Sequence, residues 1–263
     1  MPVREALKRG LSVIPGGPSS GASLLIYHRV GGGSRDELDV SVEQFRAQLD
    51  ALAGQPVAPL GEAVDALQRG DTSPRVVLTF DDGFRDVYEN AWPELRRREL
   101  PFTIYLTTAY VGDSMRWEGS TAREQGAPAL TWTQLREMVD SGLCTIGNHT
   151  HTHVPPELLT AAELDRCTEL VGQELGVVPQ HFAYTWGIPV PALAEELSAR
   201  FRTCATGALG RNLPGVDPLQ LARIPVRRTD PLPFFRAKLR GELVPERLYG
   251  RIVSAAKGVG MRG

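Results

Sequence analysis

Seven short apolar runs, separated by polar stretches of helical spacing, limit this sequence to few folds. The runs cover residues 24–27, 76–80, 102–107, 143–147, 181–184, 201–205 and 222–226. Amphipathic segments lie between them at 42–52, 89–99, 133–141, 161–175 and 191–199. In the first of these, Phe45, Leu49 and Leu52 share one face at i, i+4 and i+7. Strand–helix alternation implies a parallel sheet covered by helices. Seven such units predict an α/β fold, a closed or nearly closed (β/α) barrel of about seven parallel strands, distorted but TIM-like. An open doubly wound sheet is the alternative for the same units.

The 263 residues suffice to bury a large core, and with 42% hydrophobic and 23% charged residues the composition is that of an ordinary globular protein. A net charge of −2 speaks against nucleic acid as a partner. Cys144, Cys167 and Cys204 have the spacing of neither a disulfide framework nor a zinc finger, so buried free thiols are expected. Residues 1–21 lack the apolar run and cleavage site of a secretory signal, and no stretch is apolar enough to cross a bilayer. These features together predict a cytoplasmic location, which a partner could still extend to the membrane periphery. No internal repeat or low-complexity linker interrupts the chain. It reads as an N-terminal extension (1–21), a main domain (22–232) and a basic amphipathic C-terminal tail (233–263). The Gly- and polar-rich stretch 112–130 reads as a long loop over the active-site face of the barrel, bringing Trp117 towards substrate.

The chemistry gathers at strand ends. Val76-Val77-Leu78-Thr79-Phe80-Asp81-Asp82-Gly83 is a buried strand ending in two carboxylates and a glycine. Adjacent carboxylates there repel one another unless a cation or proton joins them, although one could instead cap the next helix. After the fourth strand comes Gly147-Asn148-His149-Thr150-His151-Thr152-His153, which holds three of the five histidines. His149 and His153 can face one metal if the segment enters a helix; a polar His-rich loop is the plainer account. Two imidazoles and one carboxylate leave positions open for water and substrate, as in catalytic zinc sites. Non-haem iron oxygenases use the same ligand set. The second carboxylate favours hydrolysis, which needs a base near the metal.

Thr79-Phe80-Asp81-Asp82-Gly83 and His149-Thr150-His151-Thr152-His153 resemble the first two motifs of the polysaccharide deacetylases, the NodB-homology or carbohydrate esterase family 4 group. Leu130-Thr131-Trp132 precedes the second motif as it often does in that group, and the likeness spans residues 24–226. The resemblance implies a metal-dependent hydrolase that removes N-acetyl groups from amino sugars of a glycan or lipid-linked precursor. It makes Asp81 the base, and Asp82, His149 and His153 the ligands of one divalent metal. Zinc is expected, with cobalt, nickel, manganese or iron compatible. His151 falls at the variable position between the ligand histidines. The third motif departs from the family: in Phe182-Ala183-Tyr184-Thr185-Trp186-Gly187, Thr185 replaces a proline and no arginine starts the motif. By alignment the backbone N–H of Trp186 would hold the oxyanion, with Tyr184 and Trp117 beside substrate. The family's C-terminal Leu-x-His is missing, but Ile26-Tyr27-His28 ends the first strand with a similar pattern. The chain thus resembles a permuted subgroup that includes poly-N-acetylglucosamine deacetylases, with His28 as the acid that protonates the leaving amine. Otherwise His28 packs beside Tyr27. Arg223 or Arg227, flanking the seventh strand, could orient Asp81, or both could be surface charges. His181 reads as a packed or surface residue.

Two rival functions remain at this level: a catalytically weak glycan-binding relative, motivated by Thr185 and the absent arginine, and an iron oxygenase. In the tail, Phe234, Phe235, Leu239, Leu243, Leu248 and Ile252 mix with basic residues. That pattern fits either an anionic membrane surface or a final helix packed on the barrel.

Overall fold

A computed structural model of the chain describes residues 2–14, 19–117, 126–240 and 243–260, without the side chains of Pro2 and residues 254–260. Residues 118–125 of the long loop, 1 and 15–18 of the N-terminal extension, and 241–242 and 261–263 of the tail lie outside this set.

Seven parallel strands close into a barrel. They are β1 (Ala22–Tyr27), β2 (Arg75–Asp82), β3 (Phe102–Leu106), β4 (Cys144–Asn148), β5 (His181–Ala183), β6 (Thr203–Leu209) and β7 (Leu221–Pro225). The barrel therefore corresponds to the seven apolar runs, and the open sheet is excluded. The seam is made where Leu25 and Ile26 of β1 pair with Ile224 and Pro225 of β7, while the other edge of β1 pairs with β2.

The helices are α1 (Pro2–Leu11), α2 (Val42–Ala51), α3 (Leu60–Gln68), α4 (Trp92–Arg97), α5 (Trp132–Asp140), α6 (Ala161–Leu175), α7 (Ala194–Arg200), α8 (Leu232–Leu239) and α9 (Val244–Gly260). Local chemistry sets their ends. Ser41 caps α2 by accepting the Gln44 N–H. Thr131 and Gln134 form a reciprocal capping box at the start of α5, and α6 stops at Gly176 in the left-handed region. The predicted helix 89–99 is a turn of π-helix (Val87–Ala91) running into α4, and that at 191–199 begins with a 3-10 turn (Pro191–Leu193).

One core layer fills the space between barrel and helices. There the Tyr27 and Phe80 rings stack at 5.3 Å and Phe45 of α2 meets both edge-on. A second cluster joins Leu24, Val77, Tyr105 and Leu221 to Leu60, Ala63, Val64 and Leu67 of α3.

The extension and the tail meet. Buried Lys8 of α1 donates to Thr229 Oγ1 and Asp230 Oδ1, both at 2.7 Å, and buried Lys238 of α8 donates to Asp230 Oδ2 at 2.6 Å. Burial lowers the Lys8 pKa against the opposing pull of Asp230. Phe234, Phe235, Leu239 and Leu243 pack inside the protein, Leu248 is half-buried and Ile252 is exposed, so four of the six apolar side chains expected at a membrane surface are covered. Among the described residues no helix is long and apolar enough to cross a membrane.

Candidate active site and metal centre

Alternation along β2 sends Val77, Thr79 and Asp81 to one side. Asp82 leaves extended geometry at φ 75°, and both carboxylates line one cavity of about 340 Å³. The cavity also takes His28, Trp117, His149, His153, Trp186 and Arg223.

The His149–His153 segment is a loop, which corrects the expected helix entry. Thr150 and His153 both have positive φ, at 70° and 55°. Side chains pin this backbone. Asn148 Oδ1 accepts the Thr150 N–H at 2.8 Å while its Nδ2 donates to Leu164 O at 2.9 Å, and Glu163 accepts from Thr152 N at 2.8 Å. The turn brings the Nε2 atoms of His149 and His153 each to 3.4 Å from Asp82 Oδ1.

These three donor atoms are buried and lie within 4.8 Å of one another, the donor set and spacing a divalent cation requires. His149 Nδ1 is 2.8 Å from Ala183 O, which fixes the ring with Nε2 facing the other donors. Burial alone would raise the Asp82 carboxyl, but the two imidazoles hold it well below the ordinary range. Burial also works against protonation of both imidazoles. His153 falls below its usual value, whereas for His149 the contact with Asp82 outweighs burial and raises it. His151 instead pairs with Thr108 Oγ1 at 2.9 Å.

Arg223, not Arg227, holds Asp81. Its Nη1 lies 2.8 Å from both Asp81 oxygens, its Nε donates to Thr206 O at 3.0 Å, and both partners are almost fully buried. Arg227 pairs with Glu246. A lone charge inside the apolar run 222–226 was the signal separating the two arginines, since Arg227 lies just beyond that run.

His28 follows β1 and lines the cavity, with Nδ1 buried and lacking a hydrogen-bond partner. Trp117 stacks on the His153 ring at 4.4 Å, and Trp186, 45% exposed, meets the same ring edge-on at 4.5 Å. Tyr184 does not join them. It is buried against Phe182, whose ring centre is 5.1 Å away, outside the cavity lining, and burial pushes its hydroxyl up to about 12. His181 is also a packed residue, 2.9 Å from Thr203 Oγ1.

In the altered third motif, the Thr185 hydroxyl donates to Val154 O at 2.8 Å, tying this turn to the residue after His153. Trp186 sits at φ 54°, and a Cβ on the next residue, Gly187, would lie 2.5 Å from the Gly207 Cα. That close approach admits only glycine. Sequence reasoning missed Arg29 and Leu38, which line the cavity from the connection after β1. Arg29 Nε is bound to Asp86 Oδ2 at 2.8 Å. Burial, only partly offset by Arg29, pushes the Asp86 carboxyl up to about 6.

Residues 68–198 match the sequence profile of the polysaccharide deacetylase family. The chain is 28% identical over 141 residues to the putative polysaccharide deacetylase YxkH of Bacillus subtilis, covering 52% of this chain and 45% of that protein. It is 28% identical over 124 residues to the poly-beta-1,6-N-acetyl-D-glucosamine N-deacetylase of Staphylococcus epidermidis, covering 45% and 40% respectively. The matches thus span less than half of these curated relatives. The solved structure of IcaB from Ammonifex degensii superposes with a TM-score of 0.74 at 31% identity, covering 86% of this chain and 99% of that one. With the barrel and both motifs in place, the chain belongs to the polysaccharide deacetylase family, of the NodB type.

Proposed function

We propose that this protein is a divalent-metal-dependent hydrolase that removes N-acetyl groups from amino sugars of a glycan or glycan precursor. The observation that carries this reading is the buried Asp81 carboxylate, held by Arg223 beside the Asp82–His149–His153 donor set in one cavity. Those three residues would hold the cation, zinc by our reading, which supplies Lewis acidity to water and to the acetamide carbonyl. Asp81 takes the proton of the attacking water, and Arg223 keeps its oxygens aimed. His28 gives a proton to the departing amine, which leaves poorly without one. The backbone N–H of Trp186 stabilises the developing oxyanion. The rings of Trp117 and Trp186 offer apolar faces to a sugar. The names of the Staphylococcus relative and its counterparts support an N-acetylglucosamine polymer or its precursor as substrate.

A base beside the donor set favours hydrolysis over both the oxygenase and the pure binding readings, neither of which needs one. Three buried, unpaired cysteines support a reducing, cytoplasmic setting. We assign no membrane contact to the tail, because Phe234, Phe235, Leu239 and Leu243 pack internally. The test is acetate release from N-acetylglucosamine oligomers before and after chelation, with zinc restored. Release that is lost and regained supports the proposal. No release from zinc-loaded protein would refute it, and release indifferent to chelator would refute its metal dependence.

A further inference from the structure

A second, open groove of about 580 Å³ shares Gly207 with the catalytic cavity. Leu209 and Pro225 from the ends of β6 and β7 line it, together with Arg227, Arg247 and Arg251. Side-chain alternation sets Arg223 and Pro225 on one side of β7, and Arg227 follows two residues beyond its end. The first of these reaches Asp81 and the last lines the groove. Arg247 and Arg251 stand one turn apart on α9 and project side by side. Both are exposed, and neither has an ion pair or hydrogen bond through its side chain among the described residues. Glu246 is the single carboxylate among the described lining residues, and it already faces Arg227 and, at 2.9 Å, the Lys238 ammonium.

Three arginines thus line one groove of a chain whose net charge is −2, and only Arg227 among them is paired with a carboxylate. Like charges one helical turn apart, as on Arg247 and Arg251, repel one another unless an anion joins them. We propose that this groove is an anionic subsite that takes a phosphate group carried by the amino-sugar substrate while the acetamide occupies the adjoining cavity. The proposal rests on the deacetylase reading. Phosphate fits better than carboxylate, because its several oxygens and higher charge can engage more than one guanidinium fork at once. The phosphate could sit at the reducing end, as in an activated or lipid-linked precursor, or on a sugar hydroxyl within the chain.

Three probes separate these cases: a neutral N-acetylglucosamine trisaccharide, its reducing-end 1-phosphate and its 6-phosphate. The zinc-loaded enzyme should prefer one phosphorylated form. The surface variant Arg247→Ala/Arg251→Ala should lower kcat/KM on that form by about tenfold, through KM, and leave the neutral trisaccharide unchanged. Calorimetric titration of the three sugars into metal-free protein reads the same contrast without turnover. Arginine-dependent binding of a phosphorylated sugar with no hydrolysis of any probe would keep the subsite and overturn the deacetylase reading. Hydrolysis of the neutral sugar, with phosphate neither preferred nor sensitive to the two arginines, would overturn the subsite alone.

Discussion

Replacing Arg223 by Met tests whether the base is set by a buried ion pair. The guanidinium carries the two 2.8 Å contacts to Asp81, with both side chains at 3% exposure or less. Removing one partner of such a pair leaves a buried charge without compensation, at a cost of about 3–5 kcal/mol. A further contact, from Nε to Thr206 O, adds about 1 kcal/mol for a lost hydrogen bond. In the Asp81→Asn background the orphaned charge is absent, so the same change should cost only the smaller amount plus altered packing. The coupling between the two substitutions is therefore expected at about 3–5 kcal/mol. Urea denaturation of the four proteins, run with chelator so that no cation compensates Asp81, measures it. In the metal-loaded enzyme Arg223→Met should also lower kcat while metal content stays near normal. Equal destabilisation by Arg223→Met in both backgrounds would refute the reasoning, because Arg223 would then act through packing alone.

Asp82→Ala and His149→Ala should each abolish bound zinc by elemental analysis, and full occupancy in both would remove the metal site. Asp81→Asn should keep the metal and slow acetate release by about 10²-fold or more, whereas near-normal turnover would assign water activation to another group. His28→Ala should bind metal normally and lose turnover chiefly with poor amine leaving groups; an unchanged rate would place the acid elsewhere. Buried His181 has its pKa lowered to about 4 by desolvation, with Arg202 adding to the effect, so the unfolded chain takes up the proton first as pH falls. Its contribution is complete above the unfolded value of about 6.5 and is lost towards pH 4, about 2 kcal/mol by pH 5. Urea midpoints at pH 7.5 and 5 should differ less in His181→Gln, and an unchanged difference would reject the assignment.

The strands were legible because a β-strand buried on both faces has little choice but a continuous apolar run, as 76–80 and 102–107 show. α3 escaped notice because Leu60, Ala63, Val64, Ala66 and Leu67 are all buried and leave only a narrow polar stripe to mark its period. The metal donors could be read from residue type and order, but not the backbone that joins them. A spacing of four fits a helix, and only the side chains of Asn148 and Glu163 reveal why the loop with two left-handed residues is held. The tail was ambiguous for a different reason. An amphipathic pattern reports that a face must leave water, not what covers it, and Lys238, counted with the polar residues, is fully buried on Asp230.

The contact between Lys8 and Asp230 joins residues 222 positions apart, and the seam between β1 and β7 closes over nearly the same distance. On the ribosome, therefore, α1 and one edge of β1 must wait until the chain has emerged as far as Asp230. Loop closure on that scale is slow, and the waiting edge is a template for pairing with other chains. Closure of the barrel should thus wait for synthesis of β7, and a nascent chain stalled before it should be held by chaperones or aggregate.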